Sequence, residues 1–408
     1  MRSPYWDWAQ ASPEGENPFP QVFTDATVTV NTPSGEQTIP NPLLQFNFDE
    51  SAFNGAGATS RAPTMSINTR QQMRSDLWNL LTSQGNYNEF STRALNVQRD
   101  NPGSLEAIHD SIHVAVGSTM SDPELAGFDP VFWLHHTMVD RVFALYQAAW
   151  PETWLESTDE VGGTFTSRAG SIEDASSVLE PFYVNSDAVR DTSYFNYNYA
   201  ELASGASAAN IINDMYGSQS SSPLMLSPAD NSTAALRRRS TESAPTNATR
   251  EYVAHVSADL PGTEGSFNLF IFDGEPDATP DTWYKDADFL GEHGFFTDAA
   301  IRSKSMISSA SISLSAGLRR RLASGDIANL EPESVEQYLK THMQWRVVDG
   351  AGKEVRKSAI SKLNVNVLTA DVEMPAERGL MPRWGAFQQL VGCASDVSAY
   401  INGWCANV

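Results

Sequence analysis

Apolar residues recur at helical spacing in three segments of the first half of the chain. The first segment is Thr69–Leu81, the second begins after Ser104 and stops at Gly117, and the third runs from Asp129-Pro130 to Ala149. Serine and aspartate are favourable helix N-caps, proline is tolerated in the first turn, and glycine commonly ends a helix. The pattern therefore predicts three amphipathic helices, because apolar residues three and four positions apart form one face of a helix.

Short apolar or alternating runs replace the helical pattern in the second half of the chain. Such runs, separated by turn signals such as Asp349-Gly350, are typical of β-strands. One segment, Glu333–His342, has the spacing of a short helix. The pattern as a whole predicts a second, mostly β domain. Its predicted strands are Ser266–Phe272, Ile312–Leu318, Trp345–Val348 and Leu363–Leu368.

A stretch rich in Ser, Ala, Pro, Asn and Thr separates the two halves. Its composition predicts a linker, because it cannot bury enough apolar surface to fold by itself. The linker contains Arg237–Arg239, and exposed basic segments are preferred sites of proteolysis; an uncleaved solvated loop is the alternative. Before the first helix, residues 1–65 lack periodicity, which predicts an irregular wrapping segment with a short hairpin over Ala26–Thr38. The predicted fold class is α+β, with a helical domain at 1–216, a linker at 217–249 and a mostly β domain at 250–408.

Composition and charge narrow the range of functions. Among 408 residues, 50 are acidic and 27 are basic, which gives a formal net charge of −23. A field of this sign repels phosphate backbones and anionic lipid, so nucleic-acid and membrane binding are not expected. The two cysteines, Cys393 and Cys405, cannot form a disulfide framework and lack Cys-x-x-Cys spacing. No apolar run has the length of a membrane span or the form of a signal peptide, which predicts an intracellular protein.

Histidines provide the clearest candidate chemistry. The chain has seven, and His109 and His113 lie four residues apart on the second predicted helix. Side chains at this spacing lie above each other on one helix face, so both imidazoles can bind the same metal ion. Two surface or hydrogen-bonded core histidines would produce the same spacing. A third imidazole from another element would favour the metal-site interpretation.

A third imidazole is available on the next predicted helix, where His135 and His136 are adjacent. Neighbouring residues on a helix point about 100° apart, so we expect one ring to face the metal and the other to pack or hydrogen-bond elsewhere. Periodicity does not choose between them, because each shares an apolar stripe with other residues of the helix. Three neutral imidazoles with an open coordination position suit copper or zinc, and a set without thiolate or carboxylate is compatible with copper redox chemistry.

Two longer runs around these histidines resemble a known family motif. Residues Ser104–His113 and Phe128–Arg141 together are similar to the second copper site of tyrosinases. In that family the ligand is the second histidine of the adjacent pair, so the resemblance implies copper ligation by His109, His113 and His136. It also implies a helical bundle around the copper and oxidation of monophenols and o-diphenols to o-quinones by dioxygen, a reaction that feeds melanin-type pigment.

The resemblance gives roles to five further side chains. His135 lies outside the ligand set, and Asp140 is a carboxylate that orients a ligand imidazole through a hydrogen bond. Glu106 and Asp110 occupy the positions that hold a water near copper and assist phenol deprotonation. Many family members have asparagine at the second of these positions, so Asp110 removes a hydrogen-bond donor and adds charge. Val114 matches a position at the substrate entrance, and a surface or packing role for Glu106, Asp110 and Val114 fits the sequence equally well.

Three other segments extend the resemblance. Tyr5–Trp8 resembles the segment that follows the first copper site, Tyr194–Tyr199 resembles the end of the catalytic core, and residues 251–408 resemble the fungal C-terminal domain. In fungal tyrosinases this β-rich domain covers the active site with an inserted side chain and is removed by cleavage on activation. The sequence does not indicate which side chain is inserted here. The spacing of the cysteine pair found in some relatives is absent, so the resemblance gives no copper-loading role to Cys393 or Cys405.

The resemblance covers one copper site, whereas the family reaction needs two coppers, each of which supplies one electron to dioxygen. The remaining histidines, His255, His293 and His342, lie singly in the predicted β domain, where structural or surface roles are expected. We therefore interpret the chain as an N-terminally truncated tyrosinase homologue that is inactive as written. Two alternatives are a non-catalytic fragment that binds one copper and an oxygen-binding type 3 copper protein.

Overall fold

Helices dominate the first half of the chain, and antiparallel strands dominate the second half. The computed structural model describes residues 4–10, 18–49, 57–83, 85–93, 95, 103–159, 170–179, 181–217, 248–261, 263–299, 306–375, 377 and 379–394. The α-helices are α1 Ile67–Ser83, α2 Tyr87–Ser91, α3 Leu105–Val116, α4 Pro130–Ala149, α5 Ala200–Ala203, α6 Ala208–Ile212, α7 Ser315–Ser324 and α8 Pro332–His342. The strands are β1 Thr27–Thr32, β2 Gly35–Pro40, β3 Thr158–Asp159, β4 Ile172–Glu173, β5 Val178–Leu179, β6 Val184–Asn185, β7 Ala248–Asp259, β8 Phe267–Phe272, β9 Phe289–Phe295, β10 Ile307–Ser313, β11 Gln344–Asp349, β12 Glu354–Val355, β13 Ser361–Glu373, β14 Arg383–Trp384 and β15 Gln388–Ala394.

The three predicted helices are present as α1, α3 and α4, and the residues expected to begin and end them do so. Ser104 Oγ accepts a hydrogen bond from the Ala107 backbone N–H at 3.2 Å, which caps α3. Gly117 ends α3 with a φ of 72°, and a Cβ there would lie 2.9 Å from the Ala62 carbonyl oxygen, so the position requires glycine. Asp129 caps α4 through its side chain.

The N-terminal segment contributes to the helical core instead of only wrapping it. Trp6, Trp8, Phe19 and Phe23 are at most 5% exposed and belong to the apolar core formed by α1, α3 and α4. Large aromatic side chains bury much apolar area, so four of them anchor an otherwise irregular segment. The predicted hairpin over Ala26–Thr38 is confirmed as the antiparallel pair β1–β2.

Two antiparallel sheets form the C-terminal domain. One has the order β10-β7-β13-β14, with β15 also paired to β13, and the other has the order β12-β11-β8-β9. Alternate residues of β7 and β13, among them Val256 and Val365, share one apolar core with Leu269 and Ile271 of β8 and with Val335 of α8. This core is the main apolar connection between the two sheets.

Most predicted elements of this domain are confirmed, and one is wrong. The predicted helix is α8, and three predicted strands correspond to β8, β11 and part of β13. The predicted strand over Ile312–Leu318 is wrong, because β10 ends at Ser313 and α7 begins at Ser315. Leu314 and Leu318 are both buried and lie four residues apart, a spacing that places both on one helix face but that a short apolar run does not reveal. The sequence pattern does not predict strands β7, β9, β12, β14 and β15.

Strand β9 packs directly against the helical domain. A Cβ at Gly294 would lie 2.3 Å from Val114 Cβ of α3, so only glycine allows this approach. The Gln72 side chain of α1 forms two hydrogen bonds with the Glu292 backbone, at 2.7 and 2.8 Å. Ser111 Oγ of α3 accepts from the Gly294 N–H at 3.2 Å. Polar side chains of the helices therefore form hydrogen bonds with backbone groups of the edge strand β9. Without these side chains, the backbone groups at the edge of the sheet would be unpaired.

Some predictions lie outside the described residues. These include nearly all of the predicted linker with its arginine cluster, and Cys405. Among the helices that the structure does describe, none combines the length and the apolar character needed to cross a membrane.

Candidate metal centre

Four histidines form a cluster at the contact between helices α3 and α4. His109 and His113 lie one turn apart on α3, with ring centroids 4.5 Å apart. His135 and His136 approach them from α4. Each histidine offers one ring nitrogen, and the four nitrogens lie within 4.8 Å of one another. Within the described ranges, no other group of three or more His, Cys, Asp or Glu side chains is close enough to hold a metal ion.

The Nε2 atoms of three of these histidines face one another. His136 Nε2 lies 3.2 Å from His109 Nε2 and 3.3 Å from His113 Nε2. The Nδ1 atoms of the α3 pair have their own acceptors, the Met120 carbonyl oxygen at 2.8 Å from His113 and Asp110 Oδ1 at 3.0 Å from His109. A neutral imidazole has one N–H, so donation from Nδ1 leaves the Nε2 lone pair of both rings directed at His136. This arrangement allows the three nitrogens to share a metal ion.

Burial keeps three of the four imidazoles neutral. Burial first, and then the neighbouring His109 ring, lowers the pKa of His113 well below its ordinary value and the pKa of His136 to about 3. Burial also lowers the pKa of His135 well below its ordinary value, and the three neighbouring imidazoles lower it further. Metal binding requires deprotonated imidazole, so these rings are in the ligand form at neutral pH.

The nitrogen spacing fits a tetrahedral metal site. A copper or zinc ion bound to imidazole nitrogens at about 2.0 Å places those nitrogens about 3.3 Å apart in a tetrahedron. The two Nε2 separations are 3.2 and 3.3 Å. Imidazoles without thiolate suit copper or zinc. The structure therefore brings together the three predicted ligands, His109, His113 and His136, in a geometry that fits one such ion.

One expectation about the adjacent pair is wrong. We expected one ring to face away, but both His135 and His136 belong to the cluster. His135 lies on the fully buried stripe of α4 with Met138 and Val142, whereas His136 is half-buried and stacks on Phe132 with centroids 4.0 Å apart. Neighbouring side chains point about 100° apart around the helix axis, and this angle still allows both rings to lie beside the α3 pair. Both α3 rings lie at similar centroid distances, 4.9 to 5.5 Å, from each of them.

The two carboxylates predicted to be catalytic bind a buried arginine. Asp110 Oδ1 accepts from His109 Nδ1, and its other oxygen pairs with Arg93 Nη1. Glu106 Oε2 accepts from the Arg93 backbone N–H and from Thr92 Oγ1, both at 2.9 Å. Burial by itself lowers the pKa of Arg93, but Asp110 and Glu106 raise it overall, so the guanidinium stays charged. In this arrangement Asp110 orients a ring of the cluster, and Glu106 fixes the chain that precedes α3.

Two further residues singled out by the sequence have other partners. We expected Asp140 to orient an imidazole, but its carboxylate accepts hydrogen bonds from Tyr197 at 2.8 Å and from Tyr199 at 2.5 Å. Burial and these hydrogen bonds raise the pKa of both tyrosines, which therefore remain donors. Val114, expected at a substrate entrance, is 8% exposed and packs against Gly294. The C-terminal domain thus covers the position of Val114.

A side chain of the C-terminal domain also covers the cluster. Phe296 directly follows β9, and its ring stacks on His113 with centroids 4.3 Å apart and planes 18° apart. Its centroid lies 6.2 Å from that of His109. Arg93 Nη1 donates to the Phe296 carbonyl oxygen at 3.2 Å and fixes the backbone there. Sequence reasoning missed Phe296, because nothing in the sequence distinguishes it from the adjacent core residue Phe295.

His136 borders an open groove lined by aromatic side chains. The groove has a volume of about 980 Å³ and lies between α4, the start of the described chain and residues 195–201. Trp133, which is 60% exposed, and Phe195, which is 50% exposed, line it. Aromatic surfaces of this kind stack on planar rings. The groove therefore offers a planar aromatic molecule an approach to the half-buried His136.

The three remaining histidines lie apart from the cluster. His293 Nδ1 is 2.7 Å from Ser111 Oγ, and burial lowers the pKa of His293 to about 3. His342 Nδ1 lies 2.9 Å from the Tyr338 carbonyl oxygen at the end of α8, and His255 lies within β7. None of them joins a second metal-compatible group in the part of the chain that the structure describes. The histidines of the described residues therefore form one metal-compatible group.

Comparison with known proteins matches both domains to one family. Residues 1–149 match the family model for the common central domain of tyrosinase, and residues 251–367 match that for the tyrosinase C-terminal domain. The chain is 24% identical to a tyrosinase of Neurospora crassa, over 92% of this chain and 75% of that protein. It is 29% identical to polyphenol oxidase 2 of Agaricus bisporus, over 54% of this chain and 46% of that protein. A solved structure of recombinant mushroom tyrosinase shares the fold, with a TM-score of 0.72 and 22% identity over 95% of this chain and 75% of that chain.

Proposed function

Because this chain belongs to the tyrosinase family of copper oxidoreductases, we propose that its histidine cluster is a copper site. The observation that carries the proposal is that His136 Nε2 lies at tetrahedral spacing from both His109 Nε2 and His113 Nε2. For residues 1–408 by themselves, we propose copper binding without turnover. For a form of the protein that also holds a second copper, we propose oxidation of monophenols and o-diphenols to o-quinones by dioxygen.

The side chains around the cluster have separate tasks in this proposal. Copper, when bound, supplies the one-electron redox chemistry that the family uses with dioxygen. Asp110 holds the proton of His109 on Nδ1, and the Met120 carbonyl does the same for His113. Fixing the Nδ1 proton sets the tautomer and the ring orientation, which leaves Nε2 to bind the metal. Phe132 supports the third ligand, His136, by stacking.

Substrate access follows from the groove and from the C-terminal domain. A phenolic ring approaches His136 along the aromatic groove beside Trp133. Phe296 covers His113 of the cluster, and we assign to it the role of the shielding side chain. Cleavage in the predicted linker at 217–249 would release the domain that carries Phe296.

One observation favours a second candidate, a non-catalytic copper-binding protein. The family reaction needs two coppers, and four of the seven histidines lie in the single cluster. The other three lie apart from it, in β7, β9 and α8. Within residues 1–408, copper binding is therefore supported by the geometry, and turnover requires imidazoles that these residues do not supply.

Copper content and catechol oxidation of the same preparation test the proposal. Residues 1–408 are loaded with copper, freed of excess metal and compared with His109→Ala, His136→Ala and the exposed control His342→Ala. We expect one copper per chain in the wild type and the control, little in the two cluster variants, and no catechol turnover. Two coppers with turnover would contradict the single site. Full copper content in both cluster variants would overturn the assignment of the cluster.

A further inference from the structure

Arg93 is a buried cation at the contact between the two domains, and the proposed function gives its charge no role. The residue is 1% exposed. Two neighbouring carboxylates of α3 keep the guanidinium charged despite this burial. Water cannot screen a charge in such a position, so a buried guanidinium acts on nearby groups more strongly than a surface arginine does.

Two hydrogen bonds connect this charge to a proposed copper ligand. Arg93 Nη1 donates to one oxygen of Asp110, and the other oxygen of Asp110 accepts from His109 Nδ1 at 3.0 Å. Glu106 provides a second carboxylate, with its Oε1 atom 3.5 Å from Arg93 Nε. The guanidinium therefore shares the carboxylate that orients the His109 ring.

The C-terminal domain also contacts Arg93 and contributes to its burial. Arg93 Nη1 donates to the Phe296 carbonyl oxygen at 3.2 Å, and Nη2 lies 3.8 Å from Met306 Sδ. Ser309 Oγ donates to the Arg93 carbonyl oxygen at 3.2 Å. These three partners are uncharged, so they fix the guanidinium beside Asp110 without neutralising it.

The two oxidation states of copper respond differently to a nearby cation. Copper(II) carries one more positive charge than copper(I), so repulsion from a buried guanidinium destabilises copper(II) more. The hydrogen bond from His109 to a carboxylate has the opposite effect, because it raises the basicity of the ligand imidazole. Arg93 binds the same carboxylate and weakens that effect. Both consequences of the Arg93 charge therefore favour copper(I).

We propose that Arg93 is a positioning residue that acts through Asp110 and His109 and makes bound copper easier to reduce. The proposal rests on the proposed function, since it takes the cluster to be the copper site. Arg93 lies outside both sequence runs around the histidines, Ser104–His113 and Phe128–Arg141, so the family resemblance gives it no such role.

The relative affinity of residues 1–408 for the two oxidation states tests the proposal. Competition with a copper(I) chelator under anaerobic reducing conditions, and with a copper(II) chelator in air, gives two dissociation constants. Their ratio determines the reduction potential of the bound copper. In Arg93→Gln we expect this ratio to shift toward copper(II) by about tenfold or more, because one buried charge is removed. Arg93→Lys keeps the charge and should stay within about threefold of the wild type.

Glu106→Gln is the companion variant, and its expected effect has the opposite sign. It removes one of the two carboxylates beside Arg93 and leaves the guanidinium in place. The ratio should shift toward copper(I) by only about two- to fivefold, since the Glu106 side chain is 29% exposed and its charge is partly screened. Arg383→Gln is the control for net charge, because Arg383 is exposed and the substitution removes one positive charge. Its ratio should equal that of the wild type.

The outcomes separate this proposal from the proposed function. A merely structural role of Arg93 would weaken the binding of both oxidation states equally, and an unchanged ratio in Arg93→Gln would overturn the proposal. Copper loss in His109→Ala would then still support the cluster as the copper site. Retention of copper by both His109→Ala and His136→Ala would overturn both proposals. If Arg93→Gln does not fold, Glu106→Gln decides, because a ratio that stays unchanged or shifts toward copper(II) contradicts control by these charges.

Discussion

Which nitrogen of each imidazole carries the proton decides whether the cluster can bind copper. Asp110 and the Met120 carbonyl each lie at an Nδ1 atom of the α3 pair, so the Nε2 atoms are free of protons. Asp140 lies one turn after His136, which made it the expected orienting carboxylate. Two tyrosines of the segment 195–201 bind it instead. The orienting residue is therefore the direct neighbour of a ligand candidate rather than the residue one turn away.

Replacing Asp110 by asparagine should weaken copper binding by about 10- to 100-fold. The Asp110 carboxylate serves two donors, Arg93 Nη1 and His109 Nδ1. An amide has one acceptor oxygen, and the charged Arg93 will take it, which turns the NH₂ group toward His109. His109 then keeps its proton on Nε2 and loses the lone pair that binds copper. Competition with a chelator of known copper affinity measures the change.

Asp140→Asn is the matched control for this substitution. It removes one negative charge from the same region, but its partners are tyrosine hydroxyls. Its copper affinity should equal that of the wild type. An equal loss of affinity in both variants would show that charge near the site, and not the His109 tautomer, controls copper binding.

Two neighbouring phenylalanines at the end of strand β9 pack into different apolar cores. Phe295 is fully buried and stacks on Phe267 in the C-terminal domain, with centroids 4.7 Å apart. Phe296, the next residue, stacks on His113 of the helical domain. Successive residues of extended chain point to opposite sides. The last residue of β9 therefore stabilises the C-terminal domain, and the residue after it covers the cluster of the helical domain.

Phe296→Leu should speed the release of copper to a chelator by about 2- to 10-fold. An aromatic ring contact contributes about 0.5–1.5 kcal/mol beyond burial, and leucine cannot stack on the His113 ring. The expected cause is easier solvent access to the cluster. Stopped-flow absorbance with a chromogenic copper chelator measures the rate.

Phe295→Leu is the comparison for Phe296→Leu. It removes a ring from the C-terminal core, so it should lower the free energy of unfolding and leave the copper release rate at the wild-type value. If Phe296→Leu releases copper no faster than Phe295→Leu, the Phe296 ring does not protect the cluster.

At the scale of the whole molecule, the contact between the two domains contains two buried carboxyl groups. Glu292 of β9 accepts hydrogen bonds from Thr69 Oγ1 at 3.0 Å and from Asn268 Nδ2 at 2.7 Å. Asp76 of α1 accepts from the Ser313 N–H at 2.7 Å. Burial raises the pKa of each carboxyl to about 7, although the hydrogen bonds partly oppose it. The protonation state of the domain contact therefore changes near neutral pH.

Glu292→Gln should become more stabilising, relative to the wild type, as the pH rises from about 5 to about 7. In the folded protein Glu292 keeps its proton up to about pH 7, whereas the unfolded chain releases it near 4.5. Its contribution to stability is therefore fully present below pH 4.5, falls by up to about 1.4 kcal/mol per pH unit as the pH rises toward 7, and is constant above. The neutral glutamine has no such change. Denaturant unfolding across this pH range measures the difference.

Comparing each variant with the wild type removes the contribution of the buried histidines, which titrate in both proteins. The exposed Glu124→Gln should follow the wild type at every pH.

Asn268 Oδ1 has no partner among the described residues, so the new amide can donate to it after a flip of Asn268. A pH-independent difference between Glu292→Gln and the wild type would show that Glu292 is ionised in the folded protein throughout.

The sequence by itself determined the helices and the residues they carry. Apolar periodicity and end signals such as Ser104 and Gly117 depend on neighbours a few positions away, so α1, α3 and α4 could be predicted almost to their ends. The spacing of His109 and His113 and the motif around them pointed to copper for the same reason. The predicted boundary between β10 and α7 was wrong, because Leu314 and Leu318 fit both a short apolar strand and a helix face.

Only the tertiary structure decided how the cluster is built and covered. In the folded protein both His135 and His136 lie beside the α3 pair. Asp110 accepts a hydrogen bond from His109, whereas Asp140 accepts from tyrosines. The Phe296 ring stacks on His113. These contacts join residues from different elements and different domains. No local period encodes such contacts, because which rings and acceptors meet depends on how α3, α4 and β9 pack against one another.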